Sequence, residues 1–177
     1  MYSLSIQGTE ANNFQFVNNS GHEFRSFVES LVLNYVTLIC SKFRTDLIYF
    51  SDKDVREEIL KAWFRVVGVQ YSPKLKKEFV LSSGENEVLE NYFVSLVSLA
   101  KKPDQFFQYQ KQLNLTIDQE QNHPIHKKIV GCAHHLASNT KSFNLPIIKA
   151  DKHSIAYFLL KDTKSFASIA AKNYIDN

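Results

Sequence analysis

The sequence predicts an α+β fold: four or five helices with N-terminal and C-terminal β-hairpins joined in one antiparallel sheet. Two observations carry this expectation. Apolar residues alternate with polar ones at both ends of the chain, and they recur at three- and four-residue steps between the ends. Composition agrees, because 44% apolar and 22% charged residues with only nine Gly plus Pro describe an ordered chain of low turn density. At 177 residues it is expected to form a single domain, 1–177.

Tyr2, Leu4 and Ile6 form the first alternating run, and Phe14 and Phe16 after GTEANN complete an expected hairpin. Phe24, Phe27, Val28, Leu31, Tyr35, Leu38 and Ile39 then predict one long helix over roughly 21–43. Ser51 and Asp54 read as an N-terminal cap for a helix carrying Val55, Ile59, Ala62, Trp63, Val66 and Val67, which Gly68 ends. Glu57 and Lys61 are placed to pair across one turn of it. Val69–Tyr71 and Phe79–Leu81 read as short strands around SPKLKKE, with a helix and loop as the alternative. Ser82 with Glu85 makes a capping-box pattern ahead of Val88, Leu89, Tyr92, Phe93, Leu96, Val97 and Ala100. Pro103 opens a short helix with Phe106, Phe107, Gln110 and Leu113, and Asn114–Asn122 reads as a polar connector. Pro124 starts another helix, NHPIHKKIVGCAHHLAS, with Ile125, Ile129, Cys132, Ala133 and Leu136 facing inward. Leu145–Lys149 and Ser154–Leu160 are expected to make the C-terminal hairpin.

Charge is unevenly placed. Residues 1–120 hold 13 Lys/Arg against 15 Asp/Glu, whereas residues 121–177 hold eight lysines against three acids and five of the six histidines. All four arginines precede residue 66, so the basic part carries point charges without guanidinium forks, which suits loose attraction to an acidic partner. The opening residues MYSLSIQ lack a signal peptide's basic and apolar regions, and LVLNYVTLIC is too short and interrupted to span a bilayer. The expectation is a soluble, cytoplasmic protein. Cys40 and Cys132 make no CxxC, and each falls on an apolar helical stripe in this reading, where a cysteine packs as a small inert residue.

The histidine-rich stretch poses the sharpest chemical question. His126 and His134 lie eight residues apart, roughly 12 Å along a helix at 1.5 Å per residue, and cannot share an ion. His123 with His126, or Cys132 with His135, supplies half a metal site, and the other half would have to come from a distant residue such as His22 or His153. The expectation is therefore no metal and no cofactor, with these histidines on or beside the surface. Cys132 with His135 at i+3 is the candidate pair for nucleophilic catalysis, although the apolar stripe argues for burial of the thiol. The five glycines are scattered, so no phosphate loop is available, and the clustered acids sit in first turns that suit the helix dipole.

Two binding readings remain. Tyr71, Lys74, Lys76 and Lys77 interleave a ring with cations, as a single-stranded nucleic-acid surface does. Fourteen Phe, eight Tyr and one Trp exceed what short helices can all turn inward, and Phe64, Phe106, Phe107, Tyr109 and Tyr174 are the candidates left outside. The leading expectation is a protein-binding protein, an adaptor, inhibitor or assembly subunit, meeting its partner through Phe106, Phe107, Tyr109, Lys127, Lys128, His134 and His135. A nucleic-acid module and an enzyme built on Cys132 are the alternatives.

Overall fold

Alternation at Tyr2, Leu4 and Ile6 does produce a strand, β1 (Tyr2–Gln7), but its partners lie far along the chain. In this computed structural model, which describes residues 1–100, 102–120 and 123–130, the chain divides into two compact units at Gly84/Glu85. The first is an α+β unit. Its sheet is antiparallel with strand order β2-β3-β1-β4, where β2 is Val36–Ser41, β3 is Arg44–Tyr49 and β4 is Val80–Ser83. Phe14 and Phe16 form no second hairpin strand. Phe14 closes a tight 3-10 turn, Glu10–Phe14, and both rings pack into the core.

The expected long helix over 21–43 is two elements. Helix α1 (Ser20–Val32) stops at Leu33, whose left-handed backbone (φ 53°) lets its N–H donate to the Glu29 carbonyl at 2.9 Å. Only Phe24 and Val28 of α1 are buried, while Phe27 and Leu31 of the expected stripe are exposed. Beyond Leu33 the β-branched Val36, Thr37 and Ile39 favour strand over helix, and β2 turns through Lys42-Phe43 into β3. Cys40 thus lies on a strand, opposite Thr45, rather than on a helix.

One face of the sheet carries Leu4, Ile6, Val36, Leu47 and Tyr49 into a core completed by Phe14, Phe24, Val28, Ile59, Leu60, Trp63, Phe64 and Phe79. Helix α2 (Arg56–Val66) supplies the centre of it. Trp63 stacks on Phe16 at 5.3 Å and meets Phe79 edge-on at 5.2 Å, and its indole N–H donates to the Phe14 carbonyl at 3.1 Å. Such ring pairs add about 0.5–1.5 kcal/mol each beyond burial. Much of the aromatic load is accounted for here. Val55, not Ser51, holds the N-cap position of α2, with the Asp54 carboxylate just ahead of it accepting from the Arg56 N–H at 3.1 Å, and Gly68 (φ 74°) follows the helix end as expected.

The other sheet face holds Ser3, Thr37, Ile39, Arg44, Asp46, Ile48 and Ser82, all buried, so every residue of β3 is out of solvent. Between α2 and β4 the chain makes a short helix, α3 (Pro73–Lys76), with Ser72 Oγ accepting from Leu75 N–H at 3.2 Å. Val69–Tyr71 is not a strand, and Ser82 belongs to β4 rather than to a cap.

The second unit begins at Glu85 with α4 (Glu85–Ala100) and α5 (Pro103–Gln119), and residues 124–130 are helical. Helix α5 takes in most of the segment expected as a connector, because Leu113 and Ile117 continue the buried face set by Phe106 and Tyr109. The Tyr109 hydroxyl donates to that of Tyr92 at 3.3 Å, and Lys128 pairs with Glu85 at 2.5 Å. The expected C-terminal hairpin lies outside the described residues. No helix among the described residues is long and apolar enough to cross a membrane.

Candidate functional site

Two places stand out once the fold has absorbed the aromatic residues. The first is the end of α1. Phe27 and Leu31 lie one turn apart on its outer face, and the chain leaves the helix through Leu33 and Tyr35. These four are exposed at 45%, 38%, 88% and 52%. From Ser26 to Tyr35 the single charged residue is Glu29, which Arg25 holds at 2.9 Å, so the stretch is nearly uncharged, its exposed polar residues Ser26, Ser30 and Asn34 being neutral. A left-handed backbone at a helix end ordinarily belongs to glycine, and leucine there costs on the order of 1 kcal/mol. For folding alone, a glycine would serve this position better.

The second place is the junction after α5. Glu120 is the C-terminal cap of that helix, and Pro124 opens the next, with Lys127 N–H donating to the His123 carbonyl at 3.1 Å. His123 N–H donates to the Glu120 carbonyl at 3.0 Å. His123 and His126 consequently share one side of the junction, and their rings stack with centroids 4.3 Å apart at 25°. Glu120 Oε2 stands 3.7 Å from His123 Nε2. One potential ligand atom from each of Glu120, His123 and His126 lies within 4.8 Å of the other two. Both histidines are buried, against the expectation of a surface role. Two imidazoles and a carboxylate are a donor set for a borderline divalent ion such as Zn²⁺.

No family model, no curated protein and no solved structure matches this chain. The site residues must therefore be weighed on their own geometry.

Of the residues expected at a partner surface, Phe107 is exposed, whereas Phe106 and Tyr109 are buried in the core of the second unit, as Phe64 is in the first. Lys127 is exposed, and Lys128 is half-buried in its pair with Glu85. Cys132, His134, His135 and Tyr174 lie outside the described residues. The nucleic-acid candidates are divided. Tyr71 donates its hydroxyl to Glu57 and sets its ring edge-on against Phe64 at 5.2 Å, and Lys76 reaches the other Glu57 oxygen at 2.5 Å. Lys74 and Lys77 remain exposed beside them. Lys61 closes the same cluster, 3.9 Å from Glu57 and over the Tyr71 ring.

Sequence reasoning missed Glu120 because the connector reading of Asn114–Asn122 gave it no fixed place. The signal was present as Glu-x-x-His-x-x-His, Glu120 to His126. The end of α1 was missed because the single long helix expected there hid the exit at Leu33.

Proposed function

We propose that the chain acts as a protein-binding protein, docking an apolar, uncharged segment of another protein against Phe27, Leu31, Leu33 and Tyr35. The observation that carries this reading is Leu33: an 88% exposed leucine held in a left-handed backbone that serves neither the core nor solubility. The near absence of charge from Ser26 to Tyr35 favours an apolar partner surface over an acidic one or a nucleic acid. A role as adaptor, inhibitor or assembly subunit follows from such a surface, and Phe107 on α5 is a further exposed ring.

The test places a photo-crosslinking side chain at Ser30, which is exposed between Phe27 and Leu31, in the native source. The expected result is one dominant crosslinked protein that disappears in the Phe27→Ser/Leu31→Ser variant. Crosslinking to a second copy of this chain, with sedimentation showing a dimer that the double variant abolishes, would replace the partner reading by self-association. Crosslinks that persist unchanged in the double variant would also overturn it.

A further inference from the structure

The start of the helix at 124–130 has a stereochemistry that bears on what the buried histidines there do. Proline at 124 fixes the first position of the second helix, which puts His126 in its first turn and His123 immediately before it. His126 Nδ1 lies 3.2 Å from the Glu120 carbonyl oxygen. A carbonyl can only accept, so the proton of the neutral ring sits on Nδ1 and leaves the lone pair on Nε2. Metal-ligating histidines are oriented in this way, their other ring N–H being held by a carbonyl or carboxylate. Glu120 thus acts twice, through its backbone on His126 and through its carboxylate toward His123.

Spacing supports the same reading. Donors about 2.0–2.1 Å from a tetrahedral ion stand roughly 3.4 Å from one another. Glu120 Oε2 and His123 Nε2 are 3.7 Å apart, and the whole set lies within 4.8 Å, so an ion would draw the set together by rotating the two imidazoles out of their stack until their lone pairs meet at one point. Burial of His123 and His126 at 8% and 1% exposure keeps competing water from most of the site. An ordinary buried histidine on an apolar helix face would account for one ring. It does not account for two buried rings side by side with a carboxylate within 4.8 Å across a helix junction.

We propose that Glu120, His123 and His126 bind one divalent first-row transition ion of the zinc type, which pins the end of α5 to the start of the following helix. This site is independent of the protein-binding surface, since it lies in a different unit and takes a different ligand.

The full chain, stripped with a chelator and dialysed, is titrated with Zn²⁺ by calorimetry and with Co²⁺ by absorption spectroscopy. The expected results are one equivalent bound, a tetrahedral Co²⁺ spectrum without a thiolate charge-transfer band, and a Tm that rises with Zn²⁺. Glu120→Gln and His126→Asn should each weaken Zn²⁺ by roughly tenfold or more, whereas His134→Ala/His135→Ala should leave affinity unchanged. Absence of saturable binding by the wild-type chain overturns the site, and this measurement stands even if a variant fails to fold. Binding lost in the His134/His135 variant but kept in His126→Asn, or a thiolate band from Cys132 or Cys40, overturns it equally.

Discussion

Arg44 and Asp46, two residues apart on β3, form a two-bonded ion pair sealed from solvent, with Nε to Oδ2 at 2.6 Å and Nη2 to Oδ1 at 3.1 Å. Residues i and i+2 of a strand share a face, which is what lets the guanidinium reach forward along its own strand. Ser5, paired with Asp46 in register on β1, donates a third bond to Oδ1 at 2.6 Å. Removing one partner strands a buried charge. Asp46→Ala is expected to lower the unfolding free energy by about 3–5 kcal/mol, and Arg44→Met/Asp46→Leu by distinctly less. Urea unfolding of the three chains measures both, and a cost below about 1 kcal/mol for Asp46→Ala would mean the pair is not buried.

The Glu57 cluster makes stability depend on acid. Hydrogen bonds from Lys76 and then Tyr71 hold the Glu57 carboxyl below its ordinary value of 4.5. A depressed carboxyl contributes stability that is complete above its unfolded value and is lost as pH falls through its folded value. Tm of the wild type should therefore exceed that of Glu57→Gln by a constant margin above about pH 4.5, and the margin should shrink below it. The pair is partly exposed, so the margin is small and should diminish further in high salt. A margin that is unchanged down to the acid limit would show that Glu57 gains nothing from Lys76 and Tyr71.

Cys40 should be an inert thiol. Burial pushes it up to about 12, with Asp46 adding in the same direction and a hydrogen bond with Thr45 opposing. Relative to a free cysteine, the thiolate population near neutral pH is lowered. In a Cys132→Ser background, native-state maleimide labelling should be slower than labelling in urea by at least two orders of magnitude. Equal rates would show that the sheet does not shield Cys40.

Leu33→Gly should stabilise the fold. Relieving a left-handed leucine at the end of α1 is expected to add about 0.5–1 kcal/mol, read by thermal or urea unfolding. The same change removes the most exposed apolar side chain among the described residues and should weaken crosslinking from position 30. Stability gained with binding lost is the signature of a residue kept for its partner. A variant that is stabilised while crosslinking at full yield would take Leu33 out of the interface.

Several features were legible along the chain because they are written in local chemistry. The α+β class, the strand at Tyr2–Gln7, the helix ended by Gly68 and the start of helices at Pro103 and Pro124 all follow from periodicity and from Pro and Gly stereochemistry. The β2–β3 hairpin did not show itself, because Lys42-Phe43 carries no Gly or Asn and an apolar run such as LVLNYVTLIC satisfies helical spacing as well as strand spacing.

What the sequence by itself determined is the set of apolar faces and their punctuation. Tertiary structure alone decided which strands pair: β1 lies between β3 and β4, at sequence separations that no local pattern encodes. It also decided which rings are left over, sending Phe64, Phe106 and Tyr109 inward and leaving Phe27 and Phe107 outside. The junction of Glu120, His123 and His126 belongs to the same class. Their types and spacing are sequence, but convergence within 4.8 Å requires α5 to end at Gln119 and the next helix to begin at Pro124. Proline stereochemistry sets where the second helix starts, whereas burial of Leu113 and Ile117 carries α5 on to Gln119.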